Sequence, residues 1–245
     1  MQDNTLQRSC AYAALFLLPF PALNFGTSFT FGDVFLVLAV LLNAGALFQL
    51  QSFQLPFLLA LPFFLVSGLL DADGGVISMV QTVYIWGFVL PFGWCAFAGI
   101  PLSRMAAVLL SSAVISSMIA TGQGVGWVPA LANQRLIEFN VGFSRGAGLS
   151  LKCNSLVMIL TPCFLLVRYL KSFPARLAVI AALVPGMLAA VSKSVLLAIP
   201  GLAWFVWREP RRRWMLATLA GVTIGWASFN GGAAEVWYNL TELID

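Results

Sequence analysis

The sequence contains no histidine, and only 9% of its 245 residues are charged. The first absence removes the side chain that most often shuttles protons near neutral pH and most often binds metals. The second excludes an ordinary soluble domain, in which about a quarter of the residues are charged. Cysteine is scarce too: Cys10, Cys95, Cys153 and Cys163 lie in or beside apolar runs without metal-ligand spacing. Neither a disulfide framework nor a zinc site is indicated, and no metal or cofactor is expected. What remains is apolar, with 60% hydrophobic residues and a mean hydropathy of +0.93, so the composition is that of an integral membrane protein. A helical span takes about 20 largely apolar residues, so about nine or ten fit, with little left for a separate extramembrane domain. The net charge of +4 comes from 13 basic and 9 acidic residues scattered between the runs, with one basic block at Arg211–Arg213. A block between two spans is a topological signal, and no nucleic-acid partner is expected.

Nine runs can be laid out: Ala11–Leu23, Phe31–Leu50, Phe53–Leu70, Val76–Gly99, Met105–Thr121, Leu149–Leu170, Ala175–Val191, Val195–Trp207 and Trp214–Phe229. They predict an all-α, polytopic transmembrane bundle of about nine spans, forming a single domain over residues 1–245. The first run follows Arg8 as a signal peptide would, but no small-x-small cleavage site follows it, so it reads as a retained span. Pro185, Pro200 and the break Val191–Ser194 are expected to kink or end helices rather than to abolish them.

With the N-terminus in the cytoplasm, Arg8, Arg104, Arg168, Lys171, Arg176, Arg208, Arg211, Arg212 and Arg213 fall inside, nine of the 13 basic residues. Asp33, Asp71, Asp73, Glu138, Glu235, Glu242 and Asp245 fall outside, as does a short C-terminal tail, Gly231–Asp245. The longest connection, Gly122–Gly148, is also external; its opening, Gly122 to Trp127, is rich in glycine and suits a turn at the interface with Trp127 as a headgroup anchor.

Four basic residues run against the topological bias: Arg135, Arg145, Lys152 and Lys193. Arg145 and Lys152 bracket the outer end of the sixth run, with Asn154 just inside it, and Lys193 sits between Ser192 and Ser194 at the outer junction of the seventh and eighth. A polar group in apolar sequence is costly unless it faces a cavity or a partner. If these residues meet, they form an external cationic pocket suited to a phosphate or diphosphate, and a helix beginning near Gly148 would add its positive end. The plainer alternative is that Arg145 and Lys152 reach outer headgroups and pair with Glu138 or Asp33.

The order Arg145-x-x-Gly148 followed by Asn154-x-Leu156 resembles the Arg-x-x-Gly...Pro-Asn-x-Leu motif of the O-antigen ligase and polymerase family of membrane glycosyltransferases. Thr30 to Leu36, with Asp33, is similar to that family's second-span entrance, and Ser192-Lys193-Ser194-Val195-Leu196-Leu197 to its Ser-Arg-Gly/Ser-x-x-Leu segment. The resemblance covers roughly the front two-thirds of a typical member. Cys153 stands where the family commonly has proline and Lys193 where it has arginine, and the large external loop with its histidine, and the spans after it, have no counterpart here.

The resemblance implies a fold of the GT-C type in a bacterial inner membrane, and a metal-independent, inverting attack by a sugar hydroxyl on an undecaprenyl-diphosphate-linked glycan. On that reading Arg145 and Lys193 are the expected catalytic cations on the diphosphate, and Lys152, Asn154, Gly148 and Arg135 the expected substrate-binding residues. Asp33 and Glu138 are candidates for the base, with Asp71 and Asp73 also external and no spacing singling one out. Asp33, at a span entrance, is equally well explained as a helix N-cap. The expected partners are lipid-linked oligosaccharide, membrane lipids and another polysaccharide-assembly subunit. A catalytically incomplete accessory or binding subunit is the alternative. A small transporter fits less well, because transport favours polar or broken helices near mid-membrane and the polar residues here crowd the outer boundary.

Overall fold

The structure, a computed structural model, describes residues 5–17, 20, 30–47, 54–70, 80–131, 134, 146–150, 152–190, 203, 206–207 and 211–229. Among these the regular elements are helices and no strand is present. They are α1 (Thr5–Leu17), α2 (Phe31–Leu42), α3 (Leu55–Leu70), α4 (Val80–Phe97), α5 (Leu102–Gly124), α6 (Cys153–Leu166), α7 (Phe173–Ala190) and α8 (Arg212–Phe229), with one extra turn at Ala44–Leu47. By length and composition α4, α5 and α7 can each cross a membrane. The 23 residues of α5 extend about 34 Å, against a hydrocarbon core about 30 Å thick. Outward-facing side chains such as Phe63, Met118, Met158 and Ile224 are exposed, a surface suited to lipid.

Every expected run except the eighth meets one of these helices. The eighth, Val195–Trp207, lies almost wholly outside the described residues, as does the tail 231–245. The first helix begins at Thr5, ahead of the apolar run, because polar Gln7 points inward: it is buried and donates to the Ala96 carbonyl at 2.8 Å.

Packing divides the chain into two compact units, Met1–Leu18 with Asn24–Pro101, and Pro19–Leu23 with Leu102–Asp245. In the first unit α1 packs on α2, which starts with a capping box. The Asp33 amide donates to Thr30 Oγ1 at 3.3 Å, and the Thr30 amide donates to Asp33 Oδ2 at 2.7 Å. The N-cap is therefore Thr30, and Asp33 is its partner three residues on, a correction to Asp33 as the cap itself.

α4 departs from the plain helix its run predicts. It is wound as a π-helix over Val83–Val89, returns to α at Leu90–Phe92 and tightens to 3-10 over Gly93–Phe97. Pro91, buried within it, has no N–H to continue the ladder. The Pro91, Cys95 and Ala96 carbonyls instead accept from three carboxamides on separate segments: Gln54 at 2.7 Å, Asn43 at 2.7 Å and Gln7 at 2.8 Å. Irregular backbone at membrane depth persists where other protein groups satisfy it, and these three side chains do so.

The second unit centres on α5 and α7, with a core of Leu110, Leu156, Leu160, Phe164, Ile180, Leu183, Met187 and Met215. The α5–α7 contact is close because small residues line it: a Cβ on Gly186 would collide with Ser117. Ser117 Oγ donates to the Ala182 carbonyl at 2.6 Å, in the turn before Pro185. α7 runs through Pro185 to Ala190, as expected of a proline within a membrane helix.

Candidate functional site

The end of α5 sets the geometry. The Trp127 amide donates to the Gly122 carbonyl at 2.8 Å and the Gly126 amide to the Gln123 carbonyl at 3.1 Å, with Gly126 at φ +77°. This pair of bonds is a Schellman termination, and Gly126 occupies the left-handed position it requires. The helix thus continues to Gly124, past the expected start of the connection at Gly122, and ends where Gly126 turns to positive φ. Trp127 is exposed, as an interfacial anchor would be.

Gln123, in the last turn of α5, is fully buried. Its Oε1 accepts from the Ala147 and Gly148 amides, both at 2.9 Å, and its Nε2 donates to Gln134 Oε1 at 2.9 Å. Gln134 in turn accepts from the Leu131 amide at 2.9 Å and donates to the Gly148 and Ser150 carbonyls at 2.7 and 2.6 Å. Ser116 Oγ, two turns back on α5, accepts from the Leu149 amide at 2.9 Å. Three polar side chains therefore claim both faces of a buried turn, Gly146–Ser150, that has no regular ladder of its own.

Gly148 in that turn adopts φ +61°, and a Cβ there would strike the Ser116 carbonyl and hydroxyl. Gly146 lies as close to the Ala120 carbonyl, and its amide donates to the Ala189 carbonyl, in the last turn of α7, at 2.9 Å. The positive φ and the tertiary bonds keep this segment out of a helix. α6 begins at Cys153, with extended Lys152 as its N-cap, rather than near Gly148, so the positive helix end lies at Lys152–Cys153.

These contacts orient the second unit. The last turns of α5 and α7 and the start of α6 share one end. The opposite end carries Arg104 in the first turn of α5, Arg168 and Lys171 after α6, Arg176 in the first turn of α7, and Arg211 and Arg213 at the start of α8. There the Arg211 guanidinium stands 5.0 Å from the centre of the Phe173 ring, and Arg176 Nε donates to the Leu170 carbonyl at 2.9 Å. Lys152 is exposed at the glutamine-pinned end, away from this group.

Of the residues singled out by sequence, Gly148 and Lys152 share the pinned end, and Asn154 opens α6 beside them, its side chain lying outside the described residues. Arg135, Glu138, Arg145 and Lys193, and with them Asp71 and Asp73, also lie outside the described residues. Asp33 belongs to the first unit, where Oδ2 accepts from Thr30 Oγ1 at 2.8 Å and Oδ1 from the Tyr84 hydroxyl at 2.9 Å. Sequence reasoning passed over Gln123, Gln134, Ser116 and Ser117. Their signal was polarity within or just after an otherwise apolar span, which in lipid means an inward-facing group with a partner.

Comparison with protein-family models, with curated proteins and with solved structures found no match for this chain.

Proposed function

We propose that the chain is a multi-spanning bacterial inner-membrane protein of polysaccharide assembly, acting as a polymerase or ligase on undecaprenyl-diphosphate-linked glycan at the external face. The observation that carries this reading is the hydrogen bond from the Gly146 amide to the Ala189 carbonyl. Arg145 directly precedes Gly146 in the sequence and Lys193 follows Ala189 by four residues, which supports assigning both cations to this end of the unit. The grouping of six cations at the opposite end supports an orientation with that end in the cytoplasm.

In this mechanism Arg145 and Lys193 hold the diphosphate, with Lys152 at the helix start as a third cation. A sugar hydroxyl attacks the anomeric carbon with inversion, the carbon–oxygen bond to the diphosphate breaks, and the leaving group departs with the electron pair. Fixed cations stabilise the charge that develops on it. The Asp33 carboxylate is already committed to Thr30 and Tyr84, which favours Glu138 as the base for the acceptor hydroxyl. The absence of histidine favours a second reading, a subunit that binds the lipid-linked glycan without turning it over.

Deleting the gene in its host and following lipid-linked oligosaccharide tests the proposal. Accumulation of single-unit lipid-linked oligosaccharide is expected for a polymerase, and long polymer left unattached for a ligase. Unchanged glycan and lipid-linked pools would overturn both.

A further inference from the structure

The basic end of the second unit is more organised than a topological signal requires. Segments 168–176 and 208–213 hold seven basic residues against Glu209 alone. Two guanidinium groups lie over aromatic rings, Arg168 at 4.9 Å from the Tyr169 ring centre and Arg211 at 5.0 Å from that of Phe173. Arg168 also donates to the Tyr169 hydroxyl at 2.9 Å. Arg176 closes the turn between them by donating to the Leu170 and Arg168 carbonyls at 2.9 and 3.4 Å. Ser172 caps α7, accepting from the Ala175 amide at 3.3 Å. The result is a fixed hairpin from which Arg168, Lys171, Arg211 and Arg213 are exposed.

We infer that this end is a binding surface for the phosphate headgroup of an anionic phospholipid. Charge complementarity requires an anion, and a guanidinium already held over a ring loses little freedom when its remaining N–H groups engage phosphate oxygens. The location selects lipid over a soluble anion. The cations sit where α7, long and apolar enough to cross a membrane, begins, and exposed Trp214 in the first turn of α8 is the side chain expected at headgroup depth. The inference does not depend on the glycan chemistry proposed for the other end.

The test is thermal unfolding of the purified full chain in a neutral detergent. Added phosphatidylglycerol is expected to raise the melting temperature by about 5 °C, while phosphatidylcholine leaves it unchanged. The R168A/K171A/R211A variant is expected to lose most of that increment relative to its own lipid-free value, and raised salt to shrink it in the wild type. No difference between the two lipids, or the full increment surviving in the variant, would overturn the inference. So would the same increment from inorganic phosphate, which would make the ligand a free anion, or from polyglutamate, which would make it an acidic protein.

Discussion

Replacing Gln123 with leucine is expected to destabilise the second unit by about 4 kcal/mol, because each buried polar group left unpaired costs about 1–3 kcal/mol. The substitution removes the acceptor of the Ala147 and Gly148 amides and one donor to Gln134. In a chain of this size that corresponds to a melting temperature about 10 °C lower and to reduced abundance in the membrane. Q123E separates the contributions. It keeps the acceptor for the two amides, loses the donor and sets two oxygens face to face, so its melting temperature should fall between wild type and Q123L. G148A should match Q123L, since it forces a side chain into the left-handed region and against Ser116. Wild-type melting in Q123L would mean that the buried amide network does not hold the turn.

Arg145→Ala and Lys193→Ala are expected to lower glycan extension by about 100-fold or more, the scale on which one preorganised electrostatic donor acts in a transition state. The readout is polymer in the deletion host complemented with each variant, normalised to the protein in its membranes. Abundance is expected to stay at the wild-type level, which sets these variants apart from Q123L. Lys193→Arg should retain extension, because it keeps the positive charge and adds the bidentate fork. Normal polymer in both alanine variants would remove the two cations from the mechanism.

The contrast between these variants shows what was legible in the sequence. Apolar runs and scarce charge locate most of the helices, because in lipid the backbone must satisfy itself within a helix and only length and polarity decide where one can lie. Gly126 and the Thr30–Asp33 box were legible as local chemistry, although the roles within the box had to be read from its bonds. The irregular winding of α4 was not. Pro91 marks a weak point in its ladder, but that the helix tightens there rather than ending depends on Gln7, Asn43 and Gln54 arriving from elsewhere in the chain.

The start of α6 was misjudged for the same reason. The run read from Leu149, with a helix beginning near Gly148, yet Gln123 and Gln134 take the backbone groups of this turn before a helix can. A carboxamide in an apolar run announces that it needs a partner without naming it. That partner is decided by tertiary contact, across as many as 89 positions in the case of Gln7 and Ala96.

The central claim is that the pinned end of the second unit receives a lipid diphosphate. It is tested most directly by measuring binding of undecaprenyl diphosphate to the purified chain in phosphatidylcholine nanodiscs, for wild type, R145A, K193A and K171A. The account predicts saturable binding by wild type and K171A and at least a tenfold weaker affinity in R145A and K193A. Equal binding by all four proteins, or none by the wild type, would contradict it.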